Sequence, residues 1–86
     1  MLQQVNEAGN KLNITATNAT IQDGNLLGIF VSQASASPTI KIADAAATIA
    51  NTFTPNAGQF YPFPCKIRGT LTITISGTVD ATVFYL

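Results

Sequence analysis

The chain has 86 residues, of which 47% are hydrophobic and only 9% charged, with four Lys and Arg balancing four Asp and Glu; an ordinary soluble domain carries about 25% charged residues. This length fits one domain, residues 1–86, burying about 60–65% of the surface that the unfolded chain exposes. The scattered Lys11, Lys41, Lys66 and Arg68 exclude a basic nucleic-acid surface, and no apolar run approaches the roughly 18 residues of a membrane span.

Thr, Asn, Ser and Gln supply the polarity that charge does not. A surface so poor in charge lacks the repulsion that keeps small monomers apart, which implies that partners or copies of the chain occupy much of it. The segment Met1 to Glu7 has neither the basic head nor the apolar stretch of a secretory signal. Cys65 is the sole cysteine, which excludes an internal disulfide framework and fits assembly in a reducing cytoplasm.

Residues 1–10 read either as a short first strand or as an extended N-terminal arm. From Lys11 to Ala16, Leu12, Ile14 and Ala16 alternate with polar neighbours, and a strand-like piece from Ala19 to Gln22 ends at the turn pair Asp23-Gly24. Leu26 to Val31 is too short for a helix and reads as a buried strand. Ser32 to Pro38 reads as a loop, followed by an alternating strand from Thr39 to Ala43. Asp44 to Ala47 admits a short Asp-capped helix, but the return to β composition at Thr48 to Phe53 favours a tight connection between strands. Thr54 to Gly58 is a turn. In Gln59 to Pro64, two prolines at alternate positions cannot donate to a ladder, predicting an edge strand or extended crossover whose aromatics reach inward.

The last stretch, Thr70 to Leu86, shows the plainest pattern. Leu71, Ile73 and Ile75 alternate with Thr70, Thr72 and Thr74; after Ser76-Gly77-Thr78, the alternation resumes through Val79, Ala81, Val83 and Tyr85. This predicts a hairpin closed by a Gly-containing turn. The whole chain reads as all-β, a compact antiparallel sandwich or barrel of jelly-roll or Greek-key type with about seven or eight short strands.

Catalytic constellations are scarce. The chain has no His, and Glu7, Asp23, Asp44 and Asp80 stand far apart in sequence, so no enzyme and no cofactor is expected. Cys65 has no His to act as its base. Ser37 before Pro38 reads as turn chemistry rather than half of a Ser-Lys pair with Lys41. Asp23-Gly24-Asn25 lacks the acidic followers of a calcium loop, and no metal site is predicted. The acceptor patterns at Asn13 and Asn18 are accidents of a composition rich in Asn and Thr. Phe60, Tyr61 and Phe63 read as core or interface anchors, with a sugar-stacking platform as the alternative. The neutral face of Thr70, Thr72 and Thr74 is a candidate contact with a neighbouring copy.

Four segments carry a resemblance: Leu27 to Ser32; Pro38 to Lys41; Asn51 to Pro55 with Tyr61 to Pro64; and Ile75 to Tyr85. Over roughly residues 24–86 the chain resembles small virion structural proteins of tailed bacteriophages, the capsid cement or decoration proteins. Members of that group often carry Trp before the Asp that corresponds to Asp44, where this chain has Ala43. The resemblance implies a homotrimer on the capsid surface, bound to the major capsid protein after assembly in the bacterial host cytoplasm. The alternative is a receptor- or glycan-binding module of a phage tail or fibre. Neither reading involves nucleic acid or a membrane.

Overall fold

The computed structural model describes residues 9–86. The choice between strand and arm for residues 1–10 therefore falls outside the described residues, except that Asn10 opens a strand. All regular structure among them is β: β1 (Asn10–Ile14), β2 (Asn18–Ala43), β3 (Thr48–Phe53) and β4 (Gln59–Tyr85). They hydrogen-bond in the order β1-β4-β2-β3, with every pair antiparallel.

β2 and β4 have 26 and 27 residues. At about 3.3 Å per residue each would be roughly 85–90 Å long if straight, twice the longest dimension of the molecule, 43 Å. Both must bend, and they bend together. Gln22 pairs with Thr70 and Gly24 with Ile67, so Asp23 faces Arg68 and Gly69. Ser35 pairs with Thr78 and Thr39 with Ser76, so Ala36, Ser37 and Pro38 face the lone Gly77. Positive φ gathers at these corners: Asp23 at 56°, Gly24 at 98°, Ala36 at 58°, Ser37 at 57°, Gly69 at 74° and Gly77 at 76°. Unequal residue numbers on facing strands make bulges, which bend and twist a ribbon without ending it.

Two expectations are corrected here. Thr70 to Leu86 is not a hairpin, because its halves do not pair with each other. Thr70 to Ser76 pairs with the Thr39–Ala43 stretch of β2 and in part with Asn18 to Gln22, whereas Thr78 to Tyr85 pairs with Leu26 to Ser35 and with β1. Gly77 turns a corner where a closing turn was expected. Ser32 to Pro38 is likewise not a free loop, since Gln33, Ala34 and Ser35 stay in register with Asp80, Val79 and Thr78. A smaller difference lies at Ala16, which is exposed beyond the end of β1. The connection at Asp44 to Ala47 is tight, as expected, with Asp44 Oδ1 accepting from the N–H groups of Ala46 and Ala47 at 2.9 Å.

Because the ribbons bend, their centres have partners on both sides. Ile29 lies between Tyr61 and Val83, and Ile73 between Asn18 and Ile42. Alternation then sends Leu26, Ile29, Val31, Ile40, Ile42, Ile67, Leu71, Ile73, Val79, Ala81 and Val83 into one core, with Ile14 and Ile21 closing it. Among the described residues no polar or charged side chain is buried. The interior is held by apolar burial, worth about 1.5–3 kcal/mol for each fully buried aliphatic side chain.

Candidate interaction surface

The Gln59 to Pro64 segment is an edge. It pairs with β2 on one side, and no described residue pairs with it on the other. Its side chains alternate: Tyr61 and Phe63 are half-buried, whereas Phe60, Pro62 and Pro64 are exposed. Tyr61 and Phe63 reach inward as expected and flank Phe53 of β3 at ring-centroid distances of 5.2 and 5.9 Å. The Tyr61 hydroxyl accepts from the Asn56 N–H at 2.8 Å, tying the turn after β3 to this strand. Phe60 points the other way, because only alternate residues of a strand share a face, and it is 49% exposed. The three aromatics therefore do not form one platform.

Phe60 has other neighbours. It stands directly across from Phe30 of β2, and its ring lies 6.2 Å from that of Phe84 in an edge-on contact. A Cβ added to Gly28 would lie 2.4 Å from Phe60 Cζ, so the ring covers the backbone of Gly28. Phe30 is 37% exposed and Phe84 half-buried. The cluster Phe30, Phe60 and Phe84 was not singled out from the sequence. Phe84 was legible in its alternation with Val83 and Tyr85, but Phe30 was hidden in an apolar run read as wholly buried.

Thr70, Thr72 and Thr74 belong to a different neighbourhood. Thr72 stands beside Ala43 and Thr74 beside Lys41. Thr70 and Thr72 are half-buried and Thr74 exposed, and no pairing row joins them to Phe60.

Asp44 and Asp23 hold the backbone. Asp44 accepts a third hydrogen bond, from Arg68 N–H to Oδ2 at 3.0 Å, and Asp23 Oδ1 accepts from Gly69 N–H at 3.1 Å. Together they fasten the corner of β4 at Arg68-Gly69 to the corner of β2 and to the turn before β3. Asp80 Oδ1 accepts from the Asn13 amide at 2.8 Å, and the same amide donates to Ala81 O at 3.0 Å. Asn18 Oδ1 takes the Thr20 N–H and hydroxyl, so both glycosylation-pattern asparagines have structural hydrogen bonds. Burial, and to a lesser degree the charge of Asp44, pushes the Cys65 thiol up, which disfavours the reactive thiolate. Among the described residues no three His, Cys, Asp or Glu side chains come together.

The backbone bonds from Arg68, Ala47 and Ala46, in that order of effect, hold Asp44 below the usual carboxylate range. A depressed folded-state value means stability that is present above the unfolded value, about pH 4, and lost as pH falls through the lower folded one. Urea denaturation between about pH 2 and 6 should therefore show Asp44→Asn less stable than the parent at the upper end, with a shallower loss on acidification. Parallel curves for the two proteins would disprove the assignment.

A shallow depression of about 460 Å³ beside Phe84 is lined by Gly9, Asn10 and Lys11. No protein-family model, curated protein or solved structure matches the chain.

Proposed function

We propose that the chain is a non-enzymatic virion structural protein of a tailed bacteriophage, binding the outside of the capsid and stabilising it as a homotrimeric cement or decoration protein. The observation that carries this reading is an 86-residue chain with only 9% charge whose described residues fold all-β and expose Phe30 and Phe60 side by side. Such a domain gains stability by covering its surface in a symmetric assembly. Many small clamps, each joining neighbouring coat subunits, would reinforce a shell by binding energy multiplied over copies. The four segments that resemble phage virion proteins point the same way.

We further infer a jelly roll. The matched corners divide β2 and β4 into three stretches each, giving eight with β1 and β3. Pairing would place 10–14, 79–85, 25–35 and 59–67 in one four-stranded layer and 18–22, 70–76, 39–43 and 48–53 in the other. Cross-strand nuclear Overhauser contacts of Ile29 with both Tyr61 and Val83, and of Ile73 with both Asn18 and Ile42, test it. Contacts to one side only would refute it.

Sedimentation equilibrium and co-sedimentation with purified capsids test the function. A trimer at tens of micromolar that pellets with capsids is expected; a monomer without capsid affinity overturns it. The second reading, a receptor- or glycan-binding module of a tail or fibre, draws on the exposed ring of Phe60, since sugars stack on aromatic faces. Glycan binding lost in Phe60→Ser together with labelling on the tail would favour it, and labelling on the head would refute it.

A further inference from the structure

The register sets two adjacent rows on the outward face, each crossing four strand stretches: Lys11, Phe84, Gly28 and Pro62 in one, where Gly28 has no side chain of its own, and Asn13, Thr82, Phe30 and Phe60 in the other. Phe60 covers Gly28, meets Phe84 edge-on and stands across from Phe30, and Pro62 is the register partner of Gly28, so the apolar residues of the two rows are neighbours. We infer that this face joins one copy of the chain to another, with Phe30 and Phe60 at the centre of the contact. The inference rests on the two-layered, self-assembling reading above and names the surface involved.

The strand edges argue against the other route to assembly, addition of one copy's strand to another's. Pro62 and Pro64 remove donors from the 59–67 edge, and β1 is five residues long and carries Lys11. The 18–22 edge is bulged, with the Thr20 N–H already bonded to Asn18. β3 has two register shifts in six residues. Short strands, prolines, lysines and bulges all discourage strand addition, so copies must meet through faces.

Area points to the broad faces. A specific contact takes about 800 Å² from each partner, and the molecule measures 43 × 28 × 18 Å. The short dimension fits two layers about 10 Å apart with their side chains, so only the outer faces of the layers offer that much. One outer face has Thr70, Thr72 and Thr74 with Ala43 and Lys41, and no aromatic ring among these. The other has three, and aromatic anchors near the centre dominate contact energies. A second copy fits because the face carries both signs of charge: Lys11 and Lys66 on its rim strands and Asp80 on the strand between. Around a three-fold axis, Lys on one copy's face can meet Asp80 on the next, with the apolar centres gathered towards the axis.

Phe30→Lys tests this. The parent should sediment as an oligomer at tens of micromolar, and the variant as a monomer with an unchanged far-ultraviolet circular dichroism spectrum, its dissociation constant raised about 30-fold or more. Thr72→Lys, on the threonine face that composition offered as the competing contact, should leave the assembly mass unchanged. Should Phe30→Lys fail to fold, Phe84→Lys reads the same face. Dissociation by Thr72→Lys alone, or by none of these changes, overturns the inference. A monomeric parent whose capsid binding is lost in Phe30→Lys also overturns it, assigning the face to the coat protein and leaving the capsid function intact. An oligomer that Phe30→Lys dissociates but that never binds capsids upholds the inference while the capsid function falls.

Discussion

Gly77→Ala should lower the free energy of unfolding by about 2–5 kcal/mol, whereas Gly58→Ala should cost only about 1–2 kcal/mol. Both glycines have positive φ, 76° and 81°, so an added methyl group meets the same backbone strain at each. Their surroundings differ. A Cβ at Gly58 has nothing within 4 Å, while one at Gly77 would lie 2.6 Å from Ala36 O, 2.7 Å from Ser37 O and 2.9 Å from Pro38 Cα. All three are backbone atoms of the facing corner, which cannot rotate away as a side chain would. A domain of this size is stable by only about 4–13 kcal/mol, so Gly77→Ala removes a large fraction of the total. Urea titration of the two variants side by side measures the difference. Equal losses would mean that the corner opens freely and that β2 and β4 are not locked together there.

The second large effect is expected at Ile73. Truncation to Ala should cost about 2–5 kcal/mol, the range for a buried aliphatic side chain that leaves a cavity. For a domain of this length that lowers the melting temperature by roughly 10–30 °C. Ile73 is 1% exposed and has strands on both sides, through Asn18 and Ile42, so little can collapse into the space. Ile75 lies two residues away on the same face but is only half-buried. Ile75→Ala should cost less than half as much, and scanning calorimetry of the pair decides. A larger loss at Ile75 would place the core nearer the corner at Gly77 than the burial of Ile73 allows.

The roles of the carboxylates were not legible in the sequence, which only spaces the four of them widely; folding gives Asp23, Asp44 and Asp80 backbone or amide hydrogen bonds. The aromatic segment was legible only in part. Prolines at alternate positions marked an edge, and alternation alone would have sent Phe60 away from Tyr61 and Phe63. What brings Phe60 to Phe30 and Phe84 is pairing between distant residues, Phe30 with Phe60 and Gly28 with Phe84, 30 and 56 positions apart along the chain, which no local pattern encodes.

By itself, the sequence determined the class of structure and the inward side of most strands. Period-two alternation is a local consequence of the pleat, so Leu71, Ile73, Val79, Ala81 and Val83 could be assigned to the core before any partner strand was known. Only the tertiary structure decided what the breaks mean. A Gly or an Asp-Gly pair with positive φ serves equally to close a hairpin or to bend a continuous ribbon. Which one forms depends on the facing strand. At Gly77 the three residues Ala36 to Pro38 of β2 lie opposite, and pairing resumes on both sides, so the chain turns a corner and Thr70 to Tyr85 becomes the C-terminal part of one continuous strand, β4.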